Sequence, residues 1–467
     1  MSGTLSPAQA ALLAARLKGR PPGPGTGPPE PAADGGSAPV SAEQEQLLAH
    51  ALFLPGSRLY NEAVCVVRTG PVDLDALRRA VDLLVARHDI WHTSFQRRRG
   101  EFRQVVGPAP THPLPLHDLA GVPAGQQEKR IVDLVTAVAA EPFDLRAGPL
   151  VRPVLVRVAP EEHRLYLALH HIVFDGVSLY RVVLPELVAL YDAVAARRVP
   201  TLPPTVQYAD YARWQRSGVL DEELGRCLPH WRVHLADAPV LQLPLDHPRP
   251  DEQRHSGRMI GFEVGAGSVG AARALAQGTG TTLFHVLAAV FARFLGELTG
   301  QRDVVFATVA DLRRRRELES MVGYCLTPVV LRVPLREAEA ASSLVARVRD
   351  EVLDALSHLV PLERLVRELH PPRVPGADPL FQAMLVLEPP AVPVAPGWSM
   401  HQLDPAVGAA LGQAKTDLLM ELDERPDGRL SGRLTVNADL FGPGFAEQVV
   451  ASWTQLLATV TRTDPAP

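Results

Sequence analysis

The sequence is poor in cysteine and in lysine. It has three cysteines, Cys65, Cys227 and Cys325, an odd number with wide spacing. That spacing fits no cysteine-based metal site and is typical of reduced thiols in a cytoplasmic protein. All but three of the 47 basic residues are arginine, a bias that indicates GC-rich bacterial coding rather than a binding surface. The three lysines are Lys18, Lys129 and Lys415.

Long apolar runs and excess positive charge are absent too. No apolar run reaches the roughly 18 residues that a membrane span needs, and the first residues have no signal-peptide apolar region. The formal net charge is −5 and the pI is near 6.4, which argues against a nucleic-acid-binding protein. These features predict a cytoplasmic protein that binds neither membrane nor nucleic acid.

The length of the chain and the distribution of proline predict that it is divided into several structural segments. A chain of 467 residues is long enough for two or three domains. Residues 1–39 combine helix signals over 5–18 with a Pro- and Gly-rich stretch that predicts a disordered tether. Strand and helix signals alternate on both sides of a second Pro-rich stretch. The predicted parts are therefore an N-terminal lobe over 40–238, a crossover over 239–254 and a C-terminal lobe over 255–467.

The most informative stretch runs from residue 165 to residue 176. Its first half alternates large apolar residues as a buried strand does, and it then continues into His170, His171, Asp175 and Gly176. Side chains alternate across a strand, so the two histidines are predicted to face opposite ways, with His171 at a cleft. Gly176 suits a tight turn. The residues alone leave a second interpretation open, in which both histidines belong to the core and the Asp-Gly pair forms an ordinary turn.

The stretch HHIVFDG matches the pattern HHxxxDG and resembles the active-site motif of the condensation domains of nonribosomal peptide synthetases. These domains belong to the chloramphenicol-acetyltransferase-like superfamily. Further stretches resemble the other motifs of the family in the same order, and the resemblance covers residues 40–462. The stretches are residues 41–48, 87–95, 208–214, 322–328, 361–363 and 378–382.

The resemblance implies a fold and a set of site residues. The expected fold is α/β (α+β), with two acetyltransferase-like lobes in a V-shaped pseudo-dimer around an active-site tunnel. His171 would be the general base, and the amide of Gly176 is a candidate donor to the oxyanion. His170 and Asp175 would be structural, with Asp175 paired to Arg313 of the other lobe.

The resemblance also implies partners. The donor would be an acyl or aminoacyl thioester on the 4′-phosphopantetheine of a peptidyl or aryl carrier protein, and the acceptor an amine or alcohol, free or carrier-bound. No cofactor or metal of the chain's own is expected. No carrier-protein or adenylation motif is found in the sequence, so a monomeric, free-standing enzyme served by carrier proteins in trans is the expectation.

Three alternatives remain at this point. An acyl-CoA-dependent acyltransferase of the same superfamily is disfavoured by the synthetase-like motifs outside HHxxxDG. An epimerisation domain would have Ser-Trp after the motif Asp, where this chain has Gly176 and Val177. A non-catalytic recruitment domain would tend to lose His171 or Gly176, and both are present.

Overall fold

The computed structural model describes residues 36–463 except 113, 373, 389–393 and 402–404. The helix predicted over 5–18 and most of the predicted tether lie outside the described residues. The first half of the chain forms Ser37–Pro39 (β1), Ala42–Phe53 (α1), Asn61–Thr69 (β2), Leu74–Arg87 (α2), Thr93–Arg98 (β3), Glu101–Val106 (β4), Leu116–Asp118 (β5), Ala124–Ala140 (α3), Val151–Ala159 (β6), Glu162–His170 (β7), Leu184–Ala195 (α4), Tyr208–Arg216 (α5) and Asp221–His234 (α6).

The second half forms Gly257–Val264 (β8), Ala266–Gly278 (α7), Leu283–Thr299 (α8), Asp303–Asp311 (β9), Leu326–Pro334 (β10), Ala341–Ser357 (α9), Leu362–Leu369 (α10), Ala383–Leu387 (β11), Trp398–His401 (β12), Pro405–Leu411 (α11), Leu418–Glu424 (β13), Leu430–Asn437 (β14) and Phe445–Thr463 (α12). Helices and mixed sheets are present in both halves, which confirms the predicted α/β class.

Two large sheets organise these elements. The first lobe is built on a five-stranded sheet of order β12-β2-β7-β6-β5, and the second on a six-stranded sheet of order β10-β9-β11-β13-β14-β8. Most neighbouring strands are antiparallel, whereas β5 and β6, β9 and β11, and β11 and β13 pair in parallel. A small sheet of order β1-β4-β3 flanks the first lobe.

Strand β7 shows why the histidine motif lies where it does. Leu165, Leu167 and Leu169 pack into one core of the first lobe, and Tyr166 and Ala168 pack into another on the opposite face. A strand buried on both faces is held in one register, because a slip of one residue would exchange the faces. The end of β7 is therefore fixed in space, and the motif residues follow it directly.

The helix that follows the motif begins irregularly. A helical turn, Gly176–Ser178, is followed by a π-helical turn, Leu179–Val183, before α4 begins. Pro185 at the start of α4 has no backbone N–H to give to the preceding turn, which favours this irregular start. The irregular turns lie immediately after the motif Asp175.

The lobe boundaries also differ from the predicted ones. Trp231 of α6 packs in the core of the second lobe, although residues up to 238 were assigned to the first. In the other direction, β12 pairs with β2, and its Trp398 and Met400 are buried in the first lobe. Strand β12 covers the edge of β2 that would otherwise leave backbone groups unpaired. Each lobe is thus completed by a segment from the other half of the chain.

The predicted tether ends earlier than expected. Ser37–Pro39 forms β1 and pairs with β4, and the side chain of Gln104 donates a hydrogen bond to the Pro39 carbonyl at 2.7 Å. Arg103 donates to the Ser37 hydroxyl at 3.1 Å. Residues 37–39 are held mainly by backbone pairing and have small side chains. Composition does not reveal backbone pairing, and it therefore placed these residues in the tether.

Within the described part of the chain, no single helix is both long and apolar enough to cross a membrane. Only the pair α7 and α8, bent by 105°, passes that test of length and composition when its two helices are taken together.

The crossing of α6 into the second lobe leads to a stability prediction. Trp231 is 2% exposed, whereas Val233 on the same helix is 79% exposed. We expect Trp231→Ala to lower the free energy of unfolding by about 3–5 kcal/mol, because it leaves a large cavity in a core. Val233→Ala should change that free energy by less than about 0.5 kcal/mol. Chemical denaturation of the two variants checks this, and equal small effects would contradict the placement of α6.

Candidate active site at the junction of the lobes

His171 follows the last residue of β7 and begins a 3₁₀ turn, His171–Val173. Its backbone N–H donates to the Tyr60 carbonyl at 2.7 Å, and its ring Nδ1 lies 3.1 Å from the Phe174 carbonyl. A carbonyl only accepts hydrogen bonds, so Nδ1 carries the proton and donates it. The lone pair of the neutral ring is therefore on Nε2.

Two aromatic rings hold the imidazole in place. The ring of Phe174 stacks on that of His171 at a centroid distance of 4.8 Å, and the ring of Tyr324 meets it edge-on at 5.0 Å. Tyr324 comes from the loop between β9 and β10 of the second lobe. The preceding Gly323 allows this approach, because a Cβ there would lie 2.0 Å from the Tyr208 ring. Residues from both lobes thus fix the orientation of the ring.

A cavity of about 1200 Å³ lies at this junction, and His171 is one of its lining residues. About 14% of the His171 side chain is exposed. The lining also includes Tyr60 of the first lobe and Met384, Val386, Leu419 and other residues of the second. The predicted position of His171 at a cleft between the lobes is confirmed.

A second cavity of about 1070 Å³ adjoins the first, because Glu363 and Arg367 line both. Its lining is rich in arginine and includes Trp214 of the first lobe and Leu359 of the second. The arginines of this lining are Arg216, Arg226, Arg314, Arg315, Arg364 and Arg367. The cavity that His171 lines is thus next to an arginine-rich one and shares two lining residues with it.

A carboxylate and an ammonium group stand beside His171. Glu62 Oε1 of β2 lies 3.5 Å from His171 Nε2 and accepts a hydrogen bond from Lys415 Nζ of the second lobe. Burial by itself would raise the pKa of Glu62, but Lys415 and then His171 outweigh it and lower that pKa to about 2. Burial is the main cause that lowers the pKa of His171. The arrangement is an ionised Glu62 beside a neutral imidazole.

The surroundings of His170 agree with the structural role predicted for it. The side chain is buried, and its Nδ1 accepts a hydrogen bond from the Ile172 amide at 3.2 Å. Burial, with a smaller effect of the neighbouring His171, lowers the pKa of His170 to about 3. His170 therefore stays neutral at physiological pH and supports the turn that carries His171.

Asp175 and Arg313 form the predicted ion pair between the motif turn and the second lobe. Arg313 Nη1 lies 2.8 Å from Asp175 Oδ2, and the two side chains are 1% and 0% exposed. The same carboxylate accepts hydrogen bonds from the amides of Cys325 and Ser178, each at 2.8 Å. The prediction of this contact is confirmed. Since the His171 ring donates to the Phe174 carbonyl, Asp175 forms no catalytic dyad with it.

Arg313, the other member of the ion pair, also has hydrogen-bond partners for its guanidinium group. Arg313 donates to the carbonyls of Met321 at 3.0 Å and Gly323 at 2.8 Å, and to Asp311 at 3.0 Å. These bonds hold the loop that carries Tyr324 against the motif turn. Asp175 and Arg313 thus position the wall of the site as well as joining the lobes.

Gly176 starts the helical turn capped by the Asp175 side chain. It is not among the described residues that line the cavity with His171. Its role as a donor to an oxyanion stays a prediction.

Sequence reasoning missed Glu62. It included Tyr324 in the matched stretch 322–328 and noted Lys415, but it assigned no role to either side chain. A signal for two of them was present. Glu62 is a charged residue in a strand that is otherwise largely apolar, and Lys415 is one of three lysines in an arginine-rich chain. No short-range pattern joins positions 62 and 415, because only the packing of the two lobes brings them together.

One group of described residues could hold a metal ion by composition: His230, Asp354 and His358, whose candidate ligand atoms lie within 4.8 Å of one another. The rings of His230 and His358 are stacked in parallel at 3.9 Å, with an interplanar angle of 4°. Lone pairs in two parallel planes do not converge on one ion. The geometry of the side chains does not fit a tetrahedral site such as zinc prefers.

Comparisons with known proteins identify sequence relatives along the whole folded part of the chain. The family described as Condensation domain matches residues 35–466. The chain is 35% identical over 428 residues to a linear gramicidin synthase of Brevibacillus parabrevis and 33% identical over 471 residues to a phosphinothricin tripeptide synthetase of Streptomyces viridochromogenes. These matches cover 91% and 99% of this chain. The chain spans only 6% and 42% of the relatives' own lengths.

Solved structures have the same fold. The first condensation domain of the calcium-dependent antibiotic synthetase superposes with a TM-score of 0.81 at 21% identity, covering 92% of this chain and 97% of that one. The X-domain from teicoplanin biosynthesis has a TM-score of 0.78 at 25% identity, covering 94% and 98%. The fold is therefore the chloramphenicol-acetyltransferase-like fold of condensation domains.

The buried pair of charges leads to a prediction with an exposed pair as its control. We expect Asp175→Ala to lower the free energy of unfolding by about 3–5 kcal/mol, because it leaves the Arg313 charge buried without its main partner. Asp75 pairs with Arg78 on α2 and its side chain is 93% exposed, so Asp75→Ala should cost at most about 1 kcal/mol. Chemical denaturation measures both, and similar small losses would rule out a structural role for the Asp175 pair.

Proposed function

This chain belongs to the condensation-domain family of nonribosomal peptide synthetases, and from that premise we propose that it joins a carrier-bound acyl or aminoacyl group to an amine or hydroxyl acceptor. Condensation domains are acyl-transferring enzymes that act with carrier-protein domains and need no cofactor of their own. The observation that carries the proposal is that His171 lines the cavity between the lobes while its Nδ1 is bonded to the Phe174 carbonyl, which leaves Nε2 as the basic nitrogen.

The proposed reaction follows from that nitrogen. A neutral imidazole can accept the proton of an attacking N–H or O–H group. The new C–N or C–O bond forms as the thioester C–S bond breaks, and the proton passes through Nε2 to the departing thiolate. Burial, which lowers the pKa of His171, keeps the imidazole neutral and ready to accept a proton at pH 7.

The two adjoining cavities support a reaction with two substrates. The second cavity would admit the phosphopantetheine arm, and its phosphate would be bound by arginines that now pair with carboxylates of the protein, since guanidinium groups bind phosphate through paired hydrogen bonds. The arm would reach His171 past Glu363 and Arg367, which line both cavities. The carrier protein would be a separate partner in trans, the enzyme a monomer and the reaction cytoplasmic.

A second candidate is a domain that binds another protein without catalysis. The X-domain from teicoplanin biosynthesis, solved in complex with OxyB, is 25% identical to this chain with a TM-score of 0.77. This similarity favours a binding function, whereas the unprotonated Nε2 of His171, in a ring that lines the cavity, favours catalysis. Product formation on a loaded carrier separates the two candidates.

The test uses His171→Ala, a carrier protein loaded with an acyl group, and a matched amine and alcohol as acceptors. We expect turnover to fall by at least about 10²-fold while carrier binding and fold are retained, because general-base help is lost. The alcohol should depend on His171 more than the amine does, because a neutral amine is already nucleophilic. Mass spectrometry of the products gives the rates.

His163→Ala is the matched control, because His163 lies at the opposite end of β7 and is buried. It should retain turnover whatever its effect on stability. Near-full activity of His171→Ala with both acceptors would refute the general base. Wild-type protein that binds a partner but forms no product would favour the second candidate.

A further inference from the structure

We propose that Glu62, held in place by Lys415 of the other lobe, is a positioning residue that controls how strongly His171 holds a proton during acyl transfer. This inference rests on the proposed function, and it assigns a role to two residues outside the histidine motif. It also explains why a carboxylate lies on a strand that otherwise carries mostly apolar side chains.

The backbone fixes the position of Glu62. Strand β2 pairs with β7 so that Glu62 lies opposite Leu169 and Asn61 lies opposite His170. The carboxylate therefore sits beside the end of β7, where His171 begins its turn. Its Oε1 atom, 3.5 Å from His171 Nε2, is the same atom that accepts the hydrogen bond from Lys415. The register of two strands thus places a negative charge at the reactive nitrogen.

Glu62 acts through His171 rather than on the substrate. His171 and Lys415 are lining residues of the large cavity, whereas Glu62 is not among the described residues that line it. A separation of 3.5 Å is longer than the 2.7–2.9 Å of a charge-assisted hydrogen bond. The pair is thus weakly engaged while the imidazole is neutral.

Proton transfer changes this contact. When Nε2 takes the proton of the attacking amine or alcohol, it becomes an N–H donor that faces a carboxylate. A small movement then gives a charge-assisted hydrogen bond, which stabilises the imidazolium while the C–S bond breaks. The proton next passes to the thiolate, and the imidazole returns to its neutral form. No other reactant is required.

Lys415 limits the strength of this effect. After the dominant influence of burial, Glu62 raises the pKa of His171 and Lys415 lowers it. Without Lys415 the pKa of His171 would be higher, because the positive charge that opposes the imidazolium would be gone. With Lys415 bound to the carboxylate, the imidazole stays neutral at rest and Glu62 remains available to the imidazolium. The titratable or charged groups that face His171 are Glu62, Lys415, Asp175, Tyr324 and His170.

Removing the charge of Glu62 and removing that of Lys415 should therefore shift the pH dependence of kcat in opposite directions. Its ascending limb reports the deprotonation of His171 in the complex. Glu62→Gln removes the group that favours the imidazolium, so the limb should move to lower pH and the plateau should fall by about tenfold or more. Lys415→Met removes the group that opposes the imidazolium, so the limb should move to higher pH.

The KM for the acceptor should change little in Glu62→Gln, because Glu62 is not among the described residues that line the cavity. Glu263→Gln is the matched control, since it neutralises an exposed carboxylate on β8 that pairs with Arg429. It should leave both the limb and the plateau unchanged. Thermal melting of each variant establishes that it is folded.

Two results would overturn the inference. In the first, the ascending limb of the pH dependence of kcat is unshifted in both variants and only the plateau falls. Glu62 and Lys415 would then only hold the two lobes together. The other is a shift of both limbs in the same direction. If Glu62→Gln does not fold, Lys415→Met alone decides, since an unmoved limb there also contradicts the proposal. Absence of product with the wild-type protein would instead count against the proposed function.

Discussion

The buried ion pair between Asp175 and Arg313 is the contact on which the rest of the site depends. Two charges removed from water are costly unless their hydrogen-bonding groups are satisfied. Here the carboxylate accepts from two backbone amides and the guanidinium donates to two carbonyls as well as to carboxylates. The motif turn of one lobe and the Tyr324 loop of the other are therefore held in one arrangement. His171 lies between them.

The exchange of segments between the lobes strengthens this arrangement. Helix α6 supplies Trp231 to the core of the second lobe, and strand β12 extends the sheet of the first. Relative motion of the lobes must disturb these packed segments or bend the chain that joins them. Glu62 and Lys415 form a second charged contact across the junction, beside His171, and Lys415 lines the cavity. The site is thus bounded by an ion pair that is fully buried and by one that borders the cavity.

Local patterns predicted much of this from the sequence. The alternation along residues 165–170 gave the buried strand, and the motif that follows led to His171, Asp175 and Arg313. The lobe boundaries were wrong because they were taken from proline content. Trp231 precedes the proline-rich stretch 239–254, yet it is buried in the core of the second lobe. Glu62 and Lys415 could not be paired from sequence, because their contact depends on how the two lobes pack.

The central claim is that Nε2 of His171 is an unprotonated base, held so by the bond from Nδ1 to the Phe174 carbonyl. Nitrogen-15 NMR of the histidine side chains tests it directly, with the His171 signals identified by their loss in His171→Ala. At neutral pH the account predicts a proton on Nδ1 and the chemical shift of an unprotonated ring nitrogen for Nε2. A proton on Nε2 at neutral pH, in the other tautomer or in an imidazolium, would contradict it.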